Sequence, residues 1–188
     1  MSRKNTEWKA RQRRLVAVHE AGHVVITQRF GYPCEAWIGP DDGERGWHGW
    51  ARAKRIRYVR HGGSIWQEVL PELTQRQKRL INVAGAVAEF CWDDWCDPWE
   101  CFETMSESDR ELGGFPPDEP DEVYYAAFRA VWKLLNRDTG PLWPSLIKTA
   151  RSLIVDQGLS LVLANSMEQA AEHKPSRSRR VFRQRVPA

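Results

Sequence analysis

The sequence has no long hydrophobic run. Its longest apolar stretches, VAVHEAGHVVI and SLIVDQGLSLVLA, are interrupted by polar residues or glycine. They fall short of the ~18 apolar residues that a membrane-spanning helix needs. The basic start, MSRKNTEWKARQRR, leads into no apolar segment with a small-residue cleavage site, so no secretory signal is indicated. We therefore expect a cytoplasmic protein without a membrane span.

Cysteine is scarce, and its spacing suits neither a disulfide framework nor a paired zinc motif. Cys91, Cys96 and Cys101 follow one another as C-x4-C-x4-C, whereas structural zinc sites generally use closely paired cysteines. The remaining cysteine, Cys34, is far from these three in the chain. We expect free thiols in a reducing compartment.

The sequence also lacks a phosphate-binding loop and internal repeats. No G-x-x-x-x-G-K-[ST] segment occurs, so nothing in the sequence indicates an ATPase. The 188 residues suffice for one sizeable core and are too few for two ordinary domains. We expect a single domain over residues 1–173, which starts with a basic segment at 1–14, and a basic, disordered tail at 174–188.

Charge is segregated along the chain, although the net charge is only +3. Basic residues gather at the N-terminus, in ARAKRIRYVRHGG and in the tail, while acids dominate between Glu89 and Glu122. Such faces can attract nucleic acid or acidic partners, but ordinary solvated surfaces carry the same pattern. The charge pattern alone therefore assigns no partner.

Tryptophan is abundant, with 10 residues in the chain. Between Trp50 and His61, aromatic and basic residues alternate in a way that could stack on single-stranded nucleic acid. No RNP or other recognised nucleic-acid motif accompanies them. We therefore assign the tryptophans to packing and do not expect nucleic acid to be a partner.

Helical periodicity predicts a mainly α architecture with a small inserted β-hairpin or sheet. The β element is expected within Cys34–Val59, where CEAWI and WARAKRIRYV flank a turn-rich segment. A short helical piece is expected near IWQEVL, and Asp93–Thr104 reads as a connection. The longer predicted helices cover Thr6–Phe30, Thr74–Phe90 behind a capping box, MSESDREL with Ser106 as N-cap and Asp109 at the third position, Asp121–Asn136, Pro144–Gln157 and Ser160–His173.

The first helix carries the sequence His19-Glu20-Ala21-Gly22-His23, which matches H-E-x-x-H. Residues four apart lie on one helix face, so both imidazoles can point at one tetrahedral zinc. Glu20 lies at the rim of that face, where its carboxylate can reach water rather than the metal and act as general base. The motif therefore indicates zinc-dependent hydrolysis.

An alternative leaves His19 and His23 as satisfied core histidines, with Glu20 paired to Arg13 or Arg14. The apolar flanks argue against it, because burying two His and a Glu is costly unless a metal or another partner satisfies them. A catalytic zinc also needs a third protein ligand. Spacing does not choose among the downstream candidates, which are Glu89, Asp93, Asp94, Asp97, Glu107, Asp109, His48, His61 and His173.

The order of three segments resembles the peptidase domain of the FtsH family of ATP-dependent zinc proteases. The segments are LVAVHEAGHVVI, then NVAGAVAEF after a strand region, then MSESD. In that family a V-A-x-H-E-A-G-H-A helix is followed by a β-hairpin, an A-G-x-A-A-E helix and a T-x-G-A-x-N-D segment. This chain departs from the pattern at MSESD and carries a Trp- and Cys-rich insert at Cys91–Cys101.

The resemblance implies a helical, zincin-like metallopeptidase domain with Zn²⁺ as its cofactor. It implies that His19 and His23 are metal ligands, that Glu20 is the catalytic base and that the aspartate of the last segment, Asp109, is the third ligand. Glu89 would orient a ligand rather than bind the metal.

We expect hydrolysis of unfolded or exposed polypeptide without an ATPase of the chain's own, or with a separate unfoldase partner. The strands near Glu35–Ile38 and Trp47–Ala53 could offer an edge to which an extended peptide adds. The alternative is a catalytically inactive, zinc-binding or metal-free scaffold that uses its basic and Trp-rich surfaces for partners. The sequence does not indicate an oligomeric state.

Overall fold

The computed structural model describes residues 3–41, 46–93, 97–160 and 183–185. Over these residues the chain is mainly helical, and two antiparallel hairpins are inserted between the first two helices. None of the described helices combines the length and the apolar character that a membrane crossing requires. The helices are α1 (Arg3–Arg29), α2 (Gln75–Asp93), α3 (Pro98–Thr104), α4 (Glu107–Gly113), α5 (Glu122–Leu135) and α6 (Trp143–Asp156), and the strands are β1 (Cys34–Pro40), β2 (Trp47–Ala53), β3 (Ile56–His61), β4 (Ser64–Val69), β5 (Gly158–Ser160) and β6 (Arg183–Arg185).

Helices α1 and α2 form the centre of the molecule and approach each other closely. A Cβ atom at Gly22 would lie 2.3 Å from the carbonyl oxygen of Ala84 and 2.9 Å from Cβ of Ala88. Only glycine fits there, because real Cβ atoms do not come within 3.0 Å of backbone oxygen. The small residues of NVAGAVAEF therefore let the second helix pack closely against the motif helix.

The remaining helices pack around this pair. Helix α5 buries an aromatic face against α2, where the Phe90 and Phe128 rings meet edge to face at 5.2 Å. Tyr124 is fully buried, contacts Phe102 and donates a hydrogen bond to the carbonyl of Pro98 at 2.9 Å, which anchors α3. Helix α6 lies along α1, where the Arg13 guanidinium donates to the Ile154 carbonyl.

Side-chain caps mark the starts of α2, α3 and α5. Thr74 and Gln77 exchange capping-box hydrogen bonds at the start of α2, as the sequence predicts. Asp121 accepts from the Tyr124 amide at the start of α5. Asp97 accepts from the Trp99 amide, and Pro98 takes the first helical position of α3. The prediction of a plain connection over Asp93–Thr104 was therefore wrong, because it overlooked the Asp-Pro start signal.

Each hairpin belongs to a small antiparallel sheet. The first sheet has the order β2-β1-β5, with Trp37 opposite Trp50 and Ile38 opposite Gly49. Along β1 the side chains alternate: Ala36 and Ile38 are buried, whereas Trp37 is partly exposed on the other face. This sheet therefore has one face in the core and one face towards solvent.

The second sheet has the order β3-β4-β6 and contains a segment that we predicted to be helical. The segment IWQEVL lies in or directly after β4, which pairs with β3 so that His61 faces Ser64. Gly62 and Gly63 form the two-residue turn between them, with φ of 55° and 81°. Two consecutive positive φ angles are what a tight hairpin requires, and glycine adopts them readily. The helical prediction was wrong because it ignored this turn.

The C-terminal predictions fall mostly outside the described residues. The predicted helix over Ser160–His173 lies there, apart from Ser160 itself, which ends β5. Of the predicted tail, residues 183–185 are described, and they form β6 against β4 with Arg183 opposite Glu68.

Candidate metal centre

The two motif histidines lie one turn apart on the buried side of α1. Their rings meet edge to face with centroids 4.8 Å apart, and the Nε2 atom of His23 is 3.0 Å from Nε2 of His19. Helical spacing alone places both rings on one face. The structure adds that the same nitrogen of each ring turns towards a common point.

Asp109 meets the histidines from a distant part of the chain. It is the third residue of α4, where the Ser106 hydroxyl caps the helix by accepting from the Asp109 amide at 3.0 Å. The same hydroxyl lies 2.8 Å from Oδ2 of Asp109 and holds the carboxylate in place. The two carboxylate oxygens lie 3.4 Å from Nε2 of His19 and 3.7 Å from Nε2 of His23.

Hydrogen bonds behind the rings decide which nitrogen faces the centre. Nδ1 of His23 lies 2.7 Å from the Ile81 carbonyl oxygen, which can only accept, so this nitrogen carries the proton. Nδ1 of His19 lies 2.8 Å from Oε1 of Glu89. Both contacts come from α2. In each neutral ring, Nε2 is then the atom with the free electron pair, as in metal-binding histidines.

His19, His23 and Asp109 together form a group that could hold a metal ion, with ligand atoms all within 4.8 Å of one another. Two bare imidazole nitrogens and a carboxylate repel one another unless a cation or a proton lies between them. Atoms bound tetrahedrally at 2.0–2.1 Å are separated by roughly 3.3 Å, close to the distances between these donors. The donor set and its spacing therefore fit a tetrahedral metal.

A glycine of α2 leaves the space for this centre. A Cβ atom at Gly85 would lie 2.5 Å from Nε2 of His19 and 2.5 Å from Nε2 of His23. Any larger side chain would therefore enter the centre itself. Sequence analysis missed this role of Gly85 and the role of the Ile81 carbonyl. The glycine inside NVAGAVAEF was the only available signal, since a backbone carbonyl leaves no mark in the sequence.

The charges in the centre oppose the effect of burial. Burial alone would raise the pKa of Asp109, but the imidazoles of His23 and His19 and the Ser106 hydroxyl lower it to about 2. Burial alone would lower the pKa of His19, but hydrogen bonds with Asp109 and Glu89 outweigh it and raise that pKa well above 6.5. The centre is therefore built to hold positive charge.

Glu20 lies beside the centre without being part of the donor group. It is buried, and a Cβ atom at Gly49 of β2 would lie 2.7 Å from Cγ of Glu20 and 3.0 Å from Oε1. Burial raises the pKa of Glu20, and the nearby imidazoles of His19 and His23 partly oppose this. Arg13, one of the two alternative partners for this carboxylate beside Arg14, instead bonds to a carbonyl and lies over Trp47.

The other candidate ligands have other surroundings. Asp93 accepts from Arg11 at 2.7 Å, Asp97 caps α3, and Glu107 is exposed. His48 and His61 are exposed on strands, whereas Asp94 and His173 lie outside the described residues. Glu89 contacts a ligand from behind, so the described candidates reduce to Asp109.

Comparison with known proteins adds no assignment. No protein-family model matches the chain, and no curated protein is significantly similar to it. The function must therefore be argued from the site.

Proposed function

We propose that this protein is a zinc-dependent endopeptidase that hydrolyses unfolded or exposed polypeptide. The observation that carries the proposal is the convergence of His19, His23 and Asp109 with a buried carboxylate, Glu20, directly beside them. Glu20 is buried next to the cation site and is not one of its donors. Such a carboxylate is suited to act as a general base and acid.

The donor set favours zinc over other common metals. Zinc accepts imidazole nitrogen and carboxylate oxygen in tetrahedral sites, and catalytic zinc usually has three protein ligands with one open position. Calcium and magnesium favour larger, all-oxygen sites. When bound, zinc polarises a carbonyl group and makes water acidic enough to be deprotonated near neutral pH.

Glu20 would move the proton during hydrolysis. Its carboxylate accepts a proton from the attacking water, whose oxygen forms a bond to the carbonyl carbon of the peptide. The same proton then passes to the amide nitrogen as the C–N bond breaks, which gives a carboxylic acid and an amine. The acid then loses the second proton of the water to the amine, so that a carboxylate and an ammonium group leave. The raised pKa of Glu20 suits both directions of transfer, because it brings the carboxyl group closer to balance between its two protonation states at neutral pH.

Strand β2 would present the substrate. In the part of the chain that the structure describes, β1 lies between β2 and β5, so β2 forms an edge of its sheet. Its Gly49 faces Glu20. An extended polypeptide that added to this edge through backbone hydrogen bonds would lie alongside Glu20 and the metal centre.

The resemblance to FtsH-type peptidase domains is part of the same proposal. It is supported by the order of elements, in which a histidine helix, two hairpins and a small-residue helix precede an aspartate near the start of a later helix. No phosphate-binding loop occurs in the sequence. We propose that substrates are already unfolded or are delivered by a separate unfoldase.

The test is a comparison of wild type with Glu20→Gln, with Glu100→Gln on the exposed face of α3 as the matched control. Metal content is measured by mass spectrometry, and cleavage of casein is followed with and without a chelator. We expect about one zinc per chain in all three proteins. Chelator-sensitive cleavage should occur in wild type and Glu100→Gln, and Glu20→Gln should lower it at least about 10²-fold.

Two results would contradict the proposal in different ways. A wild-type protein that holds zinc but cleaves nothing would favour the inactive scaffold. If the wild-type protein binds no more zinc than a His19→Ala variant, the proposed zinc site itself is contradicted.

A further inference from the structure

The solvent-facing side of the first sheet, opposite the side that faces Glu20, carries an aromatic and charged surface. Glu35 and Trp37 project from β1, and His48, Trp50 and Arg52 project from β2, because alternate residues share a face. The Trp37 ring is already packed within the sheet, over Gly39 and against His48 with centroids 5.2 Å apart.

Trp50 and Arg52 are free to contact another molecule. The Trp50 side chain is 46% exposed, and the Arg52 guanidinium carbon lies 6.0 Å from the centre of its ring. Glu35 is opposite Arg52 in the strand register, but its carboxylate pairs with Lys54 at 2.6 Å. Among the described side chains, no carboxylate pairs with Arg52, so its charge stays available on an apolar ring.

The position of this pair relative to Glu20 follows from the pleat of β2. Gly49 faces Glu20, and its neighbour Trp50 faces the opposite side of the sheet. A peptide strand added to β2 has the same alternation. The peptide residue beside Gly49 therefore points towards the metal centre, and the next residue lies beside Trp50, within reach of Arg52.

We propose that Trp50 and Arg52 form a binding position for an acidic side chain of the polypeptide substrate, directly next to the residue that faces Glu20. The ring contacts the methylene groups of a Glu or Asp side chain, and the guanidinium pairs with its carboxylate. This inference rests on the proposed peptidase function and names the class of sequence that the site selects.

The test uses two fluorescent peptides that differ only by Glu or Gln at the position next to the scissile bond, which is located first by mass spectrometry of casein fragments. With the zinc-loaded full chain, kcat/KM should be at least about threefold higher for the Glu peptide, the size expected of an exposed charge pair. Arg52→Glu should remove or reverse this ratio. Trp50→Ala should raise KM for both peptides with little change in kcat.

Matched controls are Arg60→Glu at an exposed position of β3 and Trp132→Ala on the exposed face of α5, both of which should behave as wild type.

The same peptides are also bound to Glu20→Gln protein with and without Arg52→Glu, and fluorescence anisotropy is measured. If casein is not cleaved, the anisotropy measurement uses extended, otherwise uncharged peptides that differ by a single Glu or Gln. A Glu preference in binding that depends on Arg52 then supports the inference, and only the peptidase proposal fails. Cleavage with equal rates for the Glu and Gln peptides, or a Glu preference that persists in Arg52→Glu, overturns the inference and leaves the peptidase proposal intact.

Discussion

Glu89 supports the metal centre from behind. Its carboxylate contacts Nδ1 of His19, so it determines which ring nitrogen faces Asp109 and His23. A carboxylate in this position also increases the electron density on the ligand nitrogen. The glutamate therefore acts on the metal through His19.

We predict that Glu89→Gln weakens zinc binding about 10–100-fold, the usual effect of losing such a supporting carboxylate. The Gln amide can still hydrogen-bond to His19 but lacks the charge. Affinity is measured by competition with a chromophoric chelator, and circular dichroism checks that the fold is retained. Glu103→Gln on α3, which changes a carboxylate that accepts a hydrogen bond from the Trp99 indole, serves as the control. An unchanged affinity would show that Glu89 is not needed to orient the ligand.

The raised pKa of His19 predicts that zinc and protons compete. In the metal-free protein the folded pKa of His19 lies well above the 6.5 of a free histidine, because hydrogen bonds with Asp109 and Glu89 outweigh burial and favour the protonated ring. Zinc needs the neutral ring, so its apparent affinity should rise with pH until the pH passes that raised pKa.

Titration calorimetry in buffers of different ionisation enthalpy checks this by counting protons released on zinc binding. Proton release is expected at pH 6.5, and it should decrease as the pH rises through the raised pKa of His19. The linked stability has the opposite sign: protonation of His19 stabilises the metal-free fold below about pH 6.5, and this is lost as pH rises through the folded pKa. Zinc binding without proton release would contradict the prediction.

The close approach of α1 and α2 depends on two glycines with different roles. Gly22 lets the helix backbones meet at Ala84, and Gly85 leaves the space in front of both ligand nitrogens. The helix contact and the metal centre are therefore built by the same pair of faces. Substitution of either glycine should therefore disturb both the contact between α1 and α2 and the metal centre.

We predict that Gly22→Ala destabilises the protein by about 1–3 kcal/mol, because the new methyl group collides with a backbone carbonyl that has little freedom to move. The helix propensity of alanine would otherwise stabilise α1 by about 1 kcal/mol. Urea unfolding of the metal-free protein measures the change. Ala10→Ser, an equally small change at an exposed position of α1, should stay within about 0.5 kcal/mol of wild type. A more stable Gly22→Ala protein would contradict so close a contact between the two helices.

The segment after the first hairpin shows why some elements escaped prediction. IWQEVL has the length and composition of a short helix. In so short a segment the spacing of the apolar residues does not distinguish a helix from a strand. What decides for a strand is its pairing partner, since β3 precedes it and the two positive φ angles at Gly62 and Gly63 turn the chain back. The long helices were predicted well because their periodic faces and caps are local features.

The core as a whole excludes solvent from its thiols. Cys34 is the buried first residue of β1 and Cys101 contacts Tyr124, and burial raises the pKa of each thiol to about 12. The thiolate is the reactive form of cysteine. Both residues should therefore be inert as long as the molecule stays folded.

We predict that iodoacetamide at pH 8 leaves Cys34 and Cys101 unmodified in the native protein and modifies both in guanidinium chloride. At a pKa of about 12 only roughly one thiol in 10⁴ is ionised at this pH. Peptide mass spectrometry reads each site separately. Ser145→Cys, at an exposed position of α6, provides a thiol that should react in the native state. Rapid native modification of Cys101 would mean that α3 opens readily.

The sequence by itself determined the local half of the metal centre. The four-residue spacing of His19 and His23 places their rings on one helix face, and the Ser106 cap fixes Asp109 near the start of its helix. Both follow from hydrogen bonding within a few residues, so no tertiary information is needed.

Only the tertiary structure decided which acid joins the histidines and which contacts hold their rings. Asp109 was inferred from a family resemblance, because many acids lie downstream and sequence spacing says nothing about distances between separate helices. The Ile81 carbonyl and the clearance at Gly85 depend on how closely α2 packs against α1. That packing is set by side-chain shape across the whole core, so it exists only once the chain has folded.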